Sequence, residues 1–596
     1  MAKYSVHQQS VDTLLSWIKS GDIAIPEIQR PFVWKAKKVR DLIDSLYNGY
    51  PVGYIITWRN PDVKLKNGQL SAGKKVLIDG QQRITALTAA IVGQRVLDQN
   101  YKEVKITIAF NPITERFEVL NNAFKKSPEW IDDIHPILNE DITISKARKA
   151  YMELNPDVDE DLIEQRIENL KKIKNQHVGI IELDATLDID TVTEIFIRIN
   201  QKGVVLSNAD FAMSKIASDE IHGGNRMRKL IDYFCRLIVD KGFNKHIRDN
   251  DKSFANSNYY QAINWMATNK DDLYVPNYID MLRVAFTSRF HRGKLSDLVA
   301  LLSGRNFETR KYEEEIAEHS YKLLELGLLD FVNQNYYQRF IMLIKSTGLI
   351  SNSMIASKNS LNFSYILYLH LRNLGLSESE TQTYVKKWLV MSLLTSRYSG
   401  SSDSVIDDDI KQINDKGIAS YFKQVEQAQL GDGFWNYQLI DNLETSSINN
   451  NAYNIYLAAQ CTDNTISFLS KSMKVSSLIE QRGDIHHVFP KKYLENFGLT
   501  PVQYNQVANY VYTEQATNVK LGKLSPKEYM QKVVDEISNG KFNISTIDYV
   551  SLIQDNLLQN ELPSNLSELS FEDYSVFLQN RRKLMAEKIK NYYYNL

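Results

Sequence analysis

The sequence predicts a multidomain α+β protein: a mixed α/β piece over residues 1–220, an all-helical stretch over 221–475, and a second mixed piece over 476–596. Three observations predict it. Short β-branched and apolar runs alternate with amphipathic stretches as far as about residue 220. Apolar residues then recur at three- and four-residue spacing through a long region with no internal repeat. Near the C-terminus, two β-rich runs precede a segment that carries its own helix cap.

Length and composition agree with this division. A chain of 596 residues holds about four domains' worth of sequence. Its 43% hydrophobic and 24% charged residues are ordinary for a globular protein that can bury a large core. Cys235 and Cys461 are the only cysteines, which excludes a disulfide framework and a cysteine zinc site and fits a reducing cytoplasm. MAKYSVHQQS lacks the apolar core of a signal peptide, and no stretch of about 18 apolar residues follows, so neither export by that route nor a membrane span is expected. The net charge of −1 announces no nucleic-acid partner; any such contact must use local basic surface such as Lys35 to Arg40 or Arg581 to Lys590.

In chain order, Ile25 to Trp34 reads as extended, because Pro26 and Pro31 remove donors and push their predecessors out of helix. A helix with Leu42, Ile43 and Leu46 on one face ends at Asn48-Gly49, before the β-rich run Tyr54 to Trp58. Lys75 to Asp79 is a short strand that turns at Gly80 into a helix carrying Ile84, Leu87 and Ile91 on one side. The free amides of such a helix start suit anions. Arg83 in that first turn opposes the helix dipole, so it reads either as a phosphate contact or as the partner of a carboxylate such as Asp79. Val104 to Phe110 and Phe117 to Leu120 read as a hairpin, Glu160 to Lys174 as a helix with a solvated face, and Ser207 to Asp210 as another helix start.

Helices are expected over Arg226–Val239, Tyr259–Asn269, Tyr312–Gly327, Tyr336–Lys345, Tyr365–Leu374 and Glu380–Leu394. Their aromatics, including Trp265, Tyr337 and Tyr365, read as core before base-stacking groups. Asp249–Ser257 and Ser396–Ser404 are polar connectors, mobile or ligand-touching, and Ser446–Asn451 is a linker. The last helix, about Phe571 to Tyr594, carries Arg581, Arg582, Lys583, Lys588 and Lys590; they complement its dipole or, second in rank, contact a phosphate backbone.

The most informative run is Asp484-Ile485-His486-His487-Val488-Phe489-Pro490, with Asn509 and Asn518 downstream. Imidazole is the side chain that titrates near neutrality, as a base acting on water must. Oxygen and nitrogen donors hold the cation that phosphodiester cleavage needs. A buried histidine pair in a plain hairpin is the bland alternative.

HHVFP followed by NYVYTEQATNVKLGKLSP, with nine residues from Asn509 to Asn518, resembles the His-Asn-His nuclease motif, in which two strands and a helix grip one metal ion. That resemblance implies His487 as base, His486 and Asn518 as metal ligands and Asn509 as the loop tie. It leaves open a shifted register, with Asp484 as ligand and His486 as base, because His-His stands where Asp-His is commoner. IPEIQRPFVW, DGQQRIT and FIRINQKGVVLS, in that order, resemble the N-terminal domain of GmrSD-type modification-dependent (type IV) restriction endonucleases, a fold similar to the ParB and sulfiredoxin nucleotide-hydrolysing domains. The resemblance implies a nucleotide site at Asp79, Gly80, Gln81, Gln82 and Arg83 with Gln29 and Arg30 beside it, and Asn200, Lys202 and Asp210 as weaker candidates. GxxxxGK[ST] is absent, and no cysteine stands at the motif for sulfiredoxin chemistry.

The expectation is therefore a cytoplasmic nuclease of bacterial anti-phage defence. It would cut DNA, modified phage DNA above all, under control of a nucleoside triphosphate (GTP, ATP or UTP), with Mg2+ or Mn2+ at the cleavage site; a homo-oligomer is left open. The rival readings are a nucleotide-gated DNA-binding protein with a decayed nuclease motif, and an RNA-cleaving effector.

Overall fold

The computed structural model describes residues 3–20, 22–24, 34–59, 75–97, 103–184, 187, 195, 208–219, 221–311, 313–481, 483 and 485–596. The extended segment at 25–33, with Gln29 and Arg30, lies outside them, as do Asn200, Lys202 and Asp484. The chain divides into two compact units, Met1–Ala255 and Asn256–Leu596.

The first unit is built on one mixed sheet. Its elements are β1 (Tyr4–Ser10), α1 (Val11–Ser20), β2 (Ile23–Ala24), α2 (Ala36–Tyr47), β3 (Tyr54–Arg59), β4 (Lys75–Asp79), α3 (Gln81–Leu87), β5 (Ile108–Asn111), β6 (Arg116–Val119), α4 (Glu160–Lys171), β7 (His177–Leu183) and α5 (Gly224–Val239). The strand order is β1-β7-β3-β4-β2. β1 and β4 run antiparallel to their neighbours β7 and β3, while β7 and β3 are parallel, as are β2 and β4. Strand alternation sorts the two faces. Ile55, Val178 and Ile180 join Leu42, Ile43, Ile84 and Leu87 in the main core, whereas Ile56, Trp58 and Leu183 form a small cluster of their own. The expected hairpin is β5 with β6, closed by Asn111, whose Oδ1 accepts from the amides of Ile113 and Thr114. α4 is solvated on one side only, since Ile163, Ile167 and Leu170 are fully buried. The connector at Asp249 is folded: Asp251 accepts from Lys229 Nζ, Tyr233 OH and the Phe254 amide.

The second unit is helical around a short hairpin. Its main elements are α6 (Tyr278–Phe290), α7 (Glu314–Val332), α8 (Lys358–Asn373), α9 (Glu378–Leu394), α10 (Ser402–Lys416), α11 (Asn451–Thr462), β8 (Ile485–His487), β9 (Tyr510–Tyr512), α12 (Gln515–Leu521), α13 (Pro526–Asn539) and α14 (Tyr574–Tyr594). α8 is buried on every side from Ser360 to Leu371, so its polar residues need internal partners. Asn362 accepts from Tyr274 OH and donates to Asp280. Tyr337 and Tyr365 are core and Trp265 is half-buried, each with its polar atom spent on a backbone carbonyl.

Two expectations need correction here. Ser446–Asn451 is no interdomain linker: Asn450 caps α11, whose residues Ala452 to Gln460 are buried within the same unit. The basic run of α14 is not a free phosphate-binding surface. Arg581, 1% exposed, donates to the carbonyls of Ala508 and Asn560; Arg582 meets Glu444 and Gln506; Lys588 meets Asp463 and Glu561. Long cationic side chains on a buried helix face were recruited to satisfy carbonyls and carboxylates, leaving Lys583 exposed and Lys590 half-buried.

Candidate active site

In the first unit, β4 delivers Asp79 to the start of α3 through Gly80, at φ 97°. A Cβ there would lie 3.0 Å from Ile55 Cγ1 and 3.3 Å from Ile55 Cα, so both conformation and space demand glycine. Gln81, Gln82 and Arg83 form the first turn. Arg83 settles onto the end of β3, donating from Nη1 to the Tyr54 carbonyl at 2.6 Å, with Gly53 leaving room beside its guanidinium. Burial pulls its pKa down from the ordinary guanidinium value, and the Asp79 carboxylate opposes that shift. Arg83 therefore has a backbone partner that spacing gave no sign of, and its Nε is buried without a partner among the described residues. Asp210 is buried on the helix Asn208–Ser218.

In the second unit, β8 and β9 pair antiparallel, with His486 opposite Val511 and His487 opposite Tyr510. α12 follows two residues later, and the Ser525 capping box starts α13 as the sequence requires. This strand–strand–helix order brings His486 to Asn518: Nδ1 and Oδ1 are 2.7 Å apart. His486 is 4% exposed, and its Nε2 is buried with no partner among the described residues. Burial drives its pKa down to about 4, with the Asn518 hydrogen bond working in the other direction, so the ring is neutral at pH 7.

His487 goes elsewhere, since adjacent strand residues face opposite ways. Its Nε2 lies 2.9 Å from Asn505 Oδ1, and its ring meets Tyr510 and Tyr504 edge-on. Burial also lowers its pKa, opposed by the Asn505 hydrogen bond and assisted by Lys491. Because an amide oxygen can only accept, His487 donates Nε2–H to Asn505 and keeps its basic lone pair on Nδ1. Asn505 was missed in the sequence; it sits just past the short helix Pro501–Tyr504, a position with no periodic signature.

Asn509 is fully buried and clamps the histidine strand. Its Oδ1 accepts from the Phe489 amide at 2.8 Å, its Nδ2 donates to the carbonyls of Phe489 and Tyr504, and its carbonyl accepts from the Val488 amide. Tyr529 OH donates to the Val488 carbonyl from α13. The strand is thus held immediately after His487, at Val488 and Phe489.

As they stand, His486 Nδ1–H donates to Asn518 Oδ1; the two atoms could share a small divalent cation only with the imidazole proton moved to the buried Nε2, and their separation is close to the roughly 3 Å between adjacent ligands of an octahedral ion. Both donors are neutral, and among the described residues no group of three or more His, Cys, Asp or Glu gathers for a metal, so water and substrate oxygens would complete the sphere.

Residues 11–217 match the family model described as GmrSD restriction endonuclease, N-terminal domain. An uncharacterized protein of Methanocaldococcus jannaschii is 23% identical over 627 aligned residues, spanning 96% of each chain. Among the described residues no helix is long and apolar enough to cross a membrane.

Proposed function

Because residues 11–217 carry the N-terminal domain of the GmrSD restriction endonuclease family, we propose that this chain is a divalent-metal-dependent DNA endonuclease controlled by a nucleoside triphosphate at its first unit. Foreign DNA, modified phage DNA in particular, is the substrate this reading names. The observation that carries it is the approach of His486 Nδ1 to Asn518 Oδ1 at 2.7 Å, with His487 the next residue of the same clamped strand and turned to its own partner Asn505.

In this mechanism His486 and Asn518 would hold the cation, with Asp484 as the further candidate. When bound, Mg2+ or Mn2+ supplies positive charge to the scissile phosphate and the departing oxygen. His487 would take a proton on Nδ1 from a water that reaches it across the strand from His486, while Asn505 holds the opposite nitrogen and fixes the tautomer. Asn509 keeps the strand in register for both events. At the first unit, Asp79, Gln81, Gln82 and Arg83 would take the nucleotide, the positive first turn of α3 facing its phosphates.

The test is cleavage of plain and modified supercoiled DNA, with Mg2+, Mn2+ or EDTA, with and without each triphosphate. His487→Ala should slow nicking by about 100-fold or more; undiminished nicking by clean protein overturns the assignment of the base. Arg83→Ala should abolish nucleotide hydrolysis, and unchanged turnover rejects that site. Binding without cutting is the second reading, favoured by the shortage of charged metal ligands among the described residues; it predicts retention of DNA with no nicking in either metal. A parallel RNA digest separates the RNA-cleaving alternative.

A further inference from the structure

Asp79, Gln81, Gln82 and Arg83 offer polar partners to phosphates and hydroxyls but carry no aromatic ring for a base. Such a ring stands beside them on another strand. Tyr54 opens β3, and its carbonyl is the acceptor that Arg83 Nη1 reaches at 2.6 Å. Gly53 precedes it at φ 84°, and a Cβ there would lie 3.0 Å from Arg83 Nη2, so the guanidinium runs along these two residues. One residue therefore anchors the Arg83 head group through its backbone and presents an aromatic side chain of its own.

Strand register puts that side chain on the face that carries Asp79. β3 and β4 are antiparallel with Ile56 opposite Asp79, and residues directly opposed across such a pair share a face. Tyr54 lies two residues before Ile56, so it points to the same side. β7 adds a seat for the ring. Gly179 pairs with Tyr54, and a Cβ on it would fall 2.5 Å from Tyr54 Cδ1 and 2.6 Å from Cε1. Gly179 has no positive φ, and within a strand glycine is otherwise unfavourable, so its presence answers to space: the edge of the Tyr54 ring fills the room a side chain would take.

Beyond that seated edge the ring is open. Tyr54 is 55% exposed, and no aromatic ring or cation packs against it among the described residues. A ring held by its strand and its seat, with free π surface next to Asp79 and Arg83, is a platform on which any base can stack, because every base has a π face. We propose that Tyr54 stacks the base of the bound nucleotide, an inference that rests on the nucleotide site proposed for Asp79 to Arg83. The first unit then takes a base-bearing ligand in preference to a bare polyphosphate, and Tyr54 sets affinity for a base without choosing which base.

Equilibrium titration of the full chain with the β,γ-imido analogues of ATP, GTP and UTP, with tripolyphosphate and with a single-stranded oligonucleotide tests it. Tyr54→Leu keeps an apolar side chain without the π face and should weaken whichever of the three nucleotides the wild type binds by about tenfold or more, leaving tripolyphosphate unchanged. Gly179→Ala, which keeps Tyr54 but takes its seat, should act in the same direction, and Tyr54→Phe should restore what Tyr54→Leu loses. Unchanged nucleotide affinity in both Tyr54→Leu and Gly179→Ala overturns the inference and leaves the nucleotide site standing. An equal loss of tripolyphosphate also overturns it, since the phosphate partners would then be the groups disturbed. Loss confined to the oligonucleotide moves the ring to a strand contact and overturns it too. A wild-type chain that binds none of the three nucleotides overturns both the inference and the site on which it rests.

Discussion

Replacing Asn509 by alanine removes three side-chain hydrogen bonds from a fully buried position. Two of the three partner groups belong to Phe489, which is itself fully buried, so water cannot replace the lost amide there. The Tyr504 carbonyl keeps a long contact from Tyr574 OH at 3.4 Å and loses less. A buried donor or acceptor left unpaired costs about 1–3 kcal/mol, and deleting Asn509 also deletes the desolvation cost of its own amide. The net loss should be about 3 kcal/mol, most of it felt where β8 meets β9. Denaturant unfolding should show a lower midpoint at unchanged slope, and hydrogen exchange over residues 485–512 should accelerate by about 100-fold, the kinetic equivalent of that energy. A loss under about 1 kcal/mol, with the Phe489 amide still protected, would mean that the clamp does not hold the strand and that the role given to Asn509 is wrong.

Asn505→Ala should move the acidic limb of the nicking rate to lower pH. The base works unprotonated, burial already holds His487 below its ordinary value, and the Asn505 hydrogen bond is the influence that raises it. An unmoved limb would remove Asn505 from the site. Arg581→Leu should destabilise the second unit by about 3 kcal/mol, through the orphaned carbonyls of Ala508 and Asn560, without changing the salt dependence of DNA binding; a shallower salt slope would restore the phosphate-contact reading of α14. His370 is 1% exposed, and burial with a neighbouring His291 lowers its pKa to about 4. A folded pKa below the unfolded value of about 6.5 gives stability that is fully present above pH 6.5 and lost as pH falls toward 4, about 3 kcal/mol in all. His370→Phe should flatten that part of the stability profile, and an equally steep acid loss would show that other groups carry it.

Much of the candidate site was legible because it rests on local signals. The turn at Gly80 is a strand meeting a helix through the one residue type that tolerates both φ 97° and contact with Ile55. The nine-residue step from Asn509 to Asn518 places one amide at the foot of a strand and the other on the following helix, which local chain geometry enforces. Asn505 and the Tyr54 carbonyl were not legible, because a polar side chain in a loop carries no period and a backbone acceptor carries no letter. The same holds for Asp409, whose partners Arg397 and Tyr398 sit on the connector it pins.

By itself the sequence determined the strand-to-helix turn at Gly80, most of the helices, and the identity of the residues able to take a proton or ligate a cation, while β1 and β7 of the main sheet came only with the structure. The properties it determined follow from neighbours within a few residues. Only the tertiary structure decided where the cations are spent, sending Arg581 and Arg582 into the interior and pairing Lys358 with Asp280 and Arg283 with Asp403. The charge of a side chain is fixed by its chemistry, but its availability depends on which carbonyls and carboxylates packing brings within reach from hundreds of residues away.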